Sequence, residues 1–334
     1  MTFSNVSCSA SKVFTIVFVP CLIVISGCSK PSQAPEEKAK PRIAGIVFQE
    51  DQFFRLVQYG MKGAAAQYGV DLLLENSSNS PDKEISLVDT YIAGKVNAIV
   101  ISPLSETGSV TALQRAYDSG IKVITYNTFI KADFPGSVIE SDQTDLGAST
   151  GRAAAKYIVG KLDGKATIAM VEFISLGLES AHQRVNGFRN EITKVPGVKI
   201  VAEQDAWLAP EAATVVENIL TAHPDVNVIW AANEGGTVGA VTGVRNSGKG
   251  GRVAVFGTDM SEQLADFLLA EDGVLRAVTG QKPFEIGFMA VETAVKVVGG
   301  TPVEKKVALP GVLFERDRPD EIKAYKQRLL ELTK

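Results

Sequence analysis

From residue 42 onward, two patterns of apolar and polar positions alternate along the chain. Short runs rich in β-branched residues are separated by longer stretches whose apolar residues recur every three or four positions. That alternation predicts strands and amphipathic helices in turn, the signature of a parallel α/β fold. The first series predicts strands at 43–48, 70–74, 98–101 and 122–125, with helices at 53–68, 81–93 and 107–118. These four strands make a complete doubly wound sheet, after which the chain crosses to a second lobe near 137–142. The second series predicts strands at 167–171, 199–202, 226–231 and 253–256, and helices at 146–160, 180–193, 212–222, 237–246 and 262–269. A helix at 284–298, a segment at 303–313 and an amphipathic closing helix end the chain.

The two series resemble each other. Val96-Asn97-Ala98-Ile99-Val100-Ile101 matches Val226-Asn227-Val228-Ile229-Trp230-Ala231. Each is followed by a helix, a Ser-Gly pair (Ser119-Gly120, Ser247-Gly248) and the next strand. An internal repeat of this order implies two similar lobes. Residues 42–141 with 282–306 are expected to form the N-terminal lobe, and 142–281 with 307–334 the C-terminal lobe. Several crossings between lobes form a hinge that bends without unfolding either one.

The first 41 residues have a different pattern. Lys12 precedes an apolar run from Val13 to Ile25, too short to span a bilayer and the right size for the core of a signal peptide. It ends in Ile25-Ser26-Gly27-Cys28, which resembles the lipobox of bacterial lipoproteins with Cys28 as the acylated residue. Residues 29–41, rich in Pro, Lys and Glu, read as a flexible tether. A lipid anchor needs such a spacer to hold the folded part off the membrane.

Composition narrows the function. A net charge of −4 argues against nucleic acid, since phosphate binding needs clustered Lys and Arg. The two histidines, His182 and His223, leave little for a metal or a catalytic triad, and no cofactor is expected. All three cysteines, Cys8, Cys21 and Cys28, precede the folded part, so no disulfide framework is available to it. No G-x-S-x-G elbow is present. The stretch 243–250 resembles a P-loop, but it carries Gly250 where Mg²⁺ needs Ser or Thr and lies between a helix and a strand, the wrong order. Enzyme readings therefore rank last.

Polar residues instead collect where strands end. Gln49-Glu50-Asp51 follow the first strand and precede Phe53-Phe54; Asn127 follows the fourth; Asp142 lies at the crossing. In the second series Trp207, Asn233-Glu234 and Asp259 hold corresponding places, and Gln281 sits on the return crossing. Open α/β sheets bind ligands at these ends, so the set is expected to face an interlobe cleft. Asp, Asn and Gln bridge adjacent hydroxyls of a sugar or polyol, while Phe53, Phe54 and Trp207 cover ring carbons. Asp51, Asn233 and Asp259 are also candidate helix N-caps.

These motifs, with Arg184-Val185-Asn186-Gly187-Phe188, Thr221-Ala222-His223-Pro224-Asp225-Val226 and Phe256-Gly257-Thr258-Asp259, resemble the type I periplasmic sugar-binding proteins, the ribose-binding-protein family. The resemblance covers 42 to about 307. It implies two doubly wound parallel-sheet lobes joined by a multi-strand hinge, and a monomer that closes on a small carbohydrate and delivers it to an ABC transporter permease. It assigns ligand contacts to Asp51, Phe53, Phe54, Asn127, His182, Trp207, Asn233, Asp259 and Gln281. Glu50 and Asp142 join the set as acidic neighbours. The family's ribose binders carry Arg at the positions of Thr128 and His182, and losing both guanidinium forks argues against ribose itself. The acceptor-rich remainder, with Lys282 as nearest cation, leaves a small cationic amine as an alternative ligand. A ligand-sensing subunit for a membrane receptor kinase is the alternative role.

Overall fold

Ile43 to Val47 are buried without exception, which is why this run forms the central strand of a sheet covered on both faces. That strand, β1 (Arg42–Val47), pairs in parallel with β2 (Asp71–Asn76) on one side and β3 (Ala98–Ile101) on the other. The computed structural model describes residues 15–17, 40–176 and 179–332, so the rest of the leader, Cys28 included, lies outside the described residues. Strands β4 (Lys122–Tyr126), β5 (Ser137–Ser141) and β11 (Lys306–Leu309) complete a six-stranded sheet ordered β11-β5-β4-β3-β1-β2. Helices α1 (Gln52–Tyr68), α2 (Pro81–Ala93), α3 (Val110–Asp118) and α9 (Pro283–Val298) cover it.

The second lobe repeats the plan. Its sheet runs β12-β10-β9-β8-β6-β7, built from β6 (Lys165–Glu172), β7 (Gly197–Asp205), β8 (Val228–Ala231), β9 (Ala254–Thr258), β10 (Leu275–Gly280) and β12 (Val312–Glu315). Around it stand α4 (Gln143–Lys161), α5 (Glu179–Ile192), α6 (Ala209–Ala222), α7 (Glu234–Asn246), α8 (Glu262–Leu269) and α10 (Pro319–Leu332). Among the described residues no helix is long and apolar enough to cross a membrane.

Matched strands do matched work. β3 and β8 occupy the same place in their sheets. Asn97 Oδ1 accepts from the Arg42 amide at 2.8 Å, and Asn227 Oδ1 accepts from the Thr167 amide at 3.0 Å. In each lobe the asparagine of the repeat thus ties the start of the third strand to the start of the first. Helix packing follows the same pseudo-symmetry. Gly60 and Gly187 are each the ninth residue of α1 and α5, and Gly287 and Gly147 the fifth of α9 and α4. At both pairs the helix backbones approach so closely that a Cβ would collide with a carbonyl oxygen of the facing helix.

Three sequence expectations change. The run 137–141 is a fifth strand, with the crossing only after Ser141. β10 was not foreseen; it is buried although half its residues are Arg, Thr or Gly. The segment 303–313 splits between sheets: Lys306–Leu309 pairs in parallel with β5, whereas Val312–Glu315 pairs antiparallel with β10. Residues 307–309 therefore belong to the first sheet and not to the C-terminal lobe, and the third crossing runs through Pro310-Gly311.

Candidate functional site

The parallel strands of both sheets point their C-terminal ends at one cleft of about 600 Å³ between the lobes. On the first lobe the wall starts with Asp51, which caps α1: its Oδ1 accepts from the Phe54 amide at 2.8 Å and its Oδ2 from Gln49. The cap fixes where the two phenylalanines go. Phe53 stays half-buried at the cleft, while Phe54, 2% exposed, sinks into the core and touches Phe53 edge-on at 5.1 Å between ring centroids. Asn127 lies at the end of β4 with a left-handed φ of 60°, and its Nδ2 donates to Ser102 Oγ at 3.3 Å.

The second lobe answers with matched positions. Asp259, at the end of β9, has φ 72°, the counterpart of Asn127. Asn and Asp tolerate this left-handed backbone better than other side chains. Asn233 caps α7 through Gly236 at 3.1 Å and donates to the Trp207 carbonyl at 3.0 Å, so the N-cap and the cleft positions are the same residue. Asp259 Oδ2 accepts from the Glu234 amide at 3.0 Å, and its Oδ1 accepts from Gln281 Nε2 at 2.7 Å. Gln281 Oε1 in turn accepts from Ser141 Oγ at 2.7 Å. A first-sheet serine, a hinge glutamine and a second-lobe aspartate form one chain across the cleft floor. Nearer its mouth, Gln52 of α1 accepts from the Glu262 amide and donates to Tyr325 Oη, both at 3.3 Å.

Three expected residues point elsewhere. Glu50 is exposed and accepts from Asn76 Nδ2 at 3.3 Å, at the end of the edge strand β2 and outside the cleft lining. Asp142 turns back to cap α4 on the Asp145 amide at 2.9 Å, and its neighbour Gln143 lines the cleft instead. His182 is exposed, because Ser180 and Arg184, one helical turn apart on α5, take the cleft-facing side. Lys282 is not the nearest cation either. Arg184 is, 6% exposed in the cleft wall, its Nη1 donating to the Ala232 carbonyl at 2.7 Å and lying 3.7 Å from Asp259 Oδ2. Its guanidinium also sits 5.3 Å over the ring of Phe173. The available sequence signal was that Arg184 falls within the apolar stripe Ala181, Val185, Phe188, Ile192.

Burial pushes the Arg184 guanidinium down from its ordinary value, and Asp259 pushes it back up. Glu234 is raised chiefly by burial; a hydrogen bond with Ser261 opposes this, and Asp259 and Asp51 add to it. Asp51, Glu234 and Asp259 against one arginine make the cleft wall net acidic. Among the described residues no cluster of His, Cys, Asp and Glu could hold a metal ion.

Just behind the cleft, Glu172 ends β6 opposite Asp205 of β7 and is 5% exposed. Burial, reinforced by Glu203 and Asp205 and only partly opposed by Arg189, pushes its carboxyl up to about 7. A raised carboxylate keeps its proton longer in the folded chain than in the unfolded one, so stability falls as pH rises from about 4.5 to about 7. That gap is worth about 3 kcal/mol. Glu172→Gln is expected to lie within about 1 kcal/mol of the parent at pH 5 and to exceed it by about 3 kcal/mol at pH 8. Urea unfolding at the two pH values measures this.

The family described as periplasmic binding protein domain matches residues 46–302. The chain is 32% identical over 286 residues to the ABC transporter periplasmic-binding protein YphF of Escherichia coli, covering 83% of this chain and 86% of that one. It is 26% identical to the ribose import binding protein RbsB of Bacillus subtilis over 90% of this chain and 97% of that one. Among solved structures, a periplasmic solute-binding protein of Actinobacillus succinogenes with bound D-allose superposes with a TM-score of 0.77 at 28% identity, covering 84% of this chain and all of that one. A solute-binding protein of Agrobacterium vitis with bound α-D-tagatopyranose gives 0.75 at 27% identity, over 86% and 98%.

Proposed function

The chain belongs to the periplasmic binding protein family, and we propose that it captures a small carbohydrate between its lobes, outside the cytoplasm, and delivers it to an ABC importer. The observation that carries this reading is the cleft itself. Hydrogen-bonding groups from both lobes, fixed by caps and strand ends, surround a space flanked by Phe53 on one side and Trp207 on the other. Contacts to both lobes form together only when the lobes approach, so ligand shifts the population toward the closed form. The three crossings and the Ser141–Gln281–Asp259 chain set the axis of that motion. In this reading Asp51, Phe53, Asn127, Trp207, Asn233, Asp259 and Gln281 contact the ligand, the leader directs export, and acylated Cys28 holds the monomer at the membrane.

A thermal-shift panel of D-allose, D-tagatose, D-ribose, myo-inositol and D-glucosamine tests this. A ligand at about a hundred times its dissociation constant adds roughly 2.7 kcal/mol of stability. A shift with a neutral sugar is expected. A shift with D-glucosamine alone would transfer the site to cationic ligands, the reading favoured by the acidic wall, and silence with all five would overturn the carbohydrate assignment.

A further inference from the structure

Gln143, the first residue of α4, sits on the crossing between lobes and is 5% exposed. Its Oε1 accepts from Arg184 twice, from Nε at 3.0 Å and from Nη2 at 2.6 Å. Arginine can only donate, so the side-chain oxygen must face the guanidinium and the amide nitrogen must face away from it. Nε2 has no hydrogen-bond partner among the described residues, and Gln143 lines both the main cleft and the small recess that continues it past Asn127, Thr128 and Ser180. Asn127, Asn233 and Gln281 each spend an amide N–H within the protein, on Ser102, the Trp207 carbonyl and Asp259. The charged groups beside them, Asp51, Glu234 and Asp259, are acceptors when ionised, and Arg184 is spent on Gln143, Ala232 and Asp259. A buried amide held this way would forfeit a hydrogen bond unless the ligand supplied an acceptor.

We propose that Gln143 is a ligand-binding donor of the site, oriented by Arg184 so that its amide N–H meets an acceptor oxygen of the sugar. The inference rests on the carbohydrate reading above and adds a contact to it. A ring oxygen accepts that N–H, and so does a hydroxyl oxygen, which can donate to a carboxylate at the same time. Thr128 and the exposed His182 stand where a resemblance to ribose binders implies guanidinium donors, and Gln143 takes up that donor work from another element.

Gln143→Glu isolates the donor. The carboxylate still accepts from Arg184, so a residue that merely positioned the guanidinium would be replaced without loss, but nothing at the position can then donate. Titration calorimetry on the purified protein and the variant, with D-allose, D-tagatose, D-ribose and myo-inositol, reads both affinity and selectivity. The parent is expected to bind at least one of the four. The variant is expected to lose at least about tenfold in affinity for the ligand the parent binds most tightly. Unchanged affinity for that ligand in the variant overturns the proposal. A folded parent that binds none of the four overturns the carbohydrate reading, and the proposal with it. The unfolding temperature of the ligand-free variant, expected at or above that of the parent, shows that a loss of affinity is not a loss of fold.

Discussion

Asp259→Ala is expected to lower affinity for the bound sugar by at least a hundredfold, about 3 kcal/mol. The side chain joins three elements: it accepts from the first amide of α7, from Gln281 on the hinge, and faces Arg184 at 3.7 Å. Removing it leaves a guanidinium that is 6% exposed without its counter-ion, frees the hinge glutamine and strips an amide of its partner. A buried charge left unpaired is the costliest of these, and the stability loss is expected at about 3 kcal/mol. Asp259→Asn separates the two effects. Asparagine accepts the left-handed backbone at this position and keeps one acceptor oxygen, so it should recover the hydrogen-bonding part of the stability but not the counter-ion of Arg184, and it lacks the paired acceptors a sugar diol needs. Calorimetric titration and urea unfolding of both variants measure this. Full affinity in Asp259→Asn would show that the residue acts on the ligand only through the fold.

Gly147→Ala is expected to cost about 3 kcal/mol or more and to weaken binding with it. An ideal Cβ at this position lies 1.9 Å from the Arg184 carbonyl oxygen and 2.8 Å from the Phe188 amide nitrogen, both backbone atoms of α5. Neither can rotate away, so α4 and α5 must separate. Gly187 makes the reciprocal contact, 2.2 Å from the Thr144 carbonyl oxygen, and the pair therefore sets the spacing of the two helices. Separation carries the Arg184 guanidinium off Gln143 and Ala232, which is how a methyl group in a helix interface reaches the cleft. Gly160→Ala on the same helix is the control. Its Cβ would meet nothing within 4 Å, and the exchange is expected to stabilise by up to about 1 kcal/mol.

Much of this architecture was legible from pattern alone. The βα alternation placed β1, β3, β4 and the helices between them, because buried parallel strands must be apolar on both faces. The repeat around Asn97 and Asn227 was also legible, and the structure gives its reason in the amide each asparagine accepts. β5 and β10 were not. Glu140, Ser141, Thr279 and Gly280 break the apolar run where strands approach the hinge and the cleft, and polarity there serves the site at the expense of the pattern. The second pseudo-symmetric pairing, the glycines of α1 with α9 and α4 with α5, escaped because the two pairs differ in chain order: α4 directly precedes α5, whereas α9 returns to the first lobe long after α1.

The site divides the same way. Asp51, Asn127, Asn233 and Asp259 sit on loops directly after strands, so chain order alone placed them. Glu50 and Asp142 were drawn in by proximity in sequence and His182 by the resemblance, and local geometry turned each aside: an extended loop, a helix cap, and a rotation of α5. Arg184 and Gln143 meet across two helices that are 41 positions apart in the chain, a juxtaposition that only tertiary structure supplies.

The central claim is that a carbohydrate bridges the lobes and closes them. Asp82 and Glu211 are exposed in the first turns of α2 and α6, each following the edge strand farthest from the hinge in its sheet. Spin labels on cysteines at these two positions, in a chain whose Cys8, Cys21 and Cys28 are serine, report the gap between the lobes. With the sugar that stabilises the protein most among D-allose, D-tagatose and D-ribose, the label distance is expected to shorten and narrow to one population, and Asp259→Ala should abolish the change. A distance distribution that stays the same at saturating sugar would contradict the account.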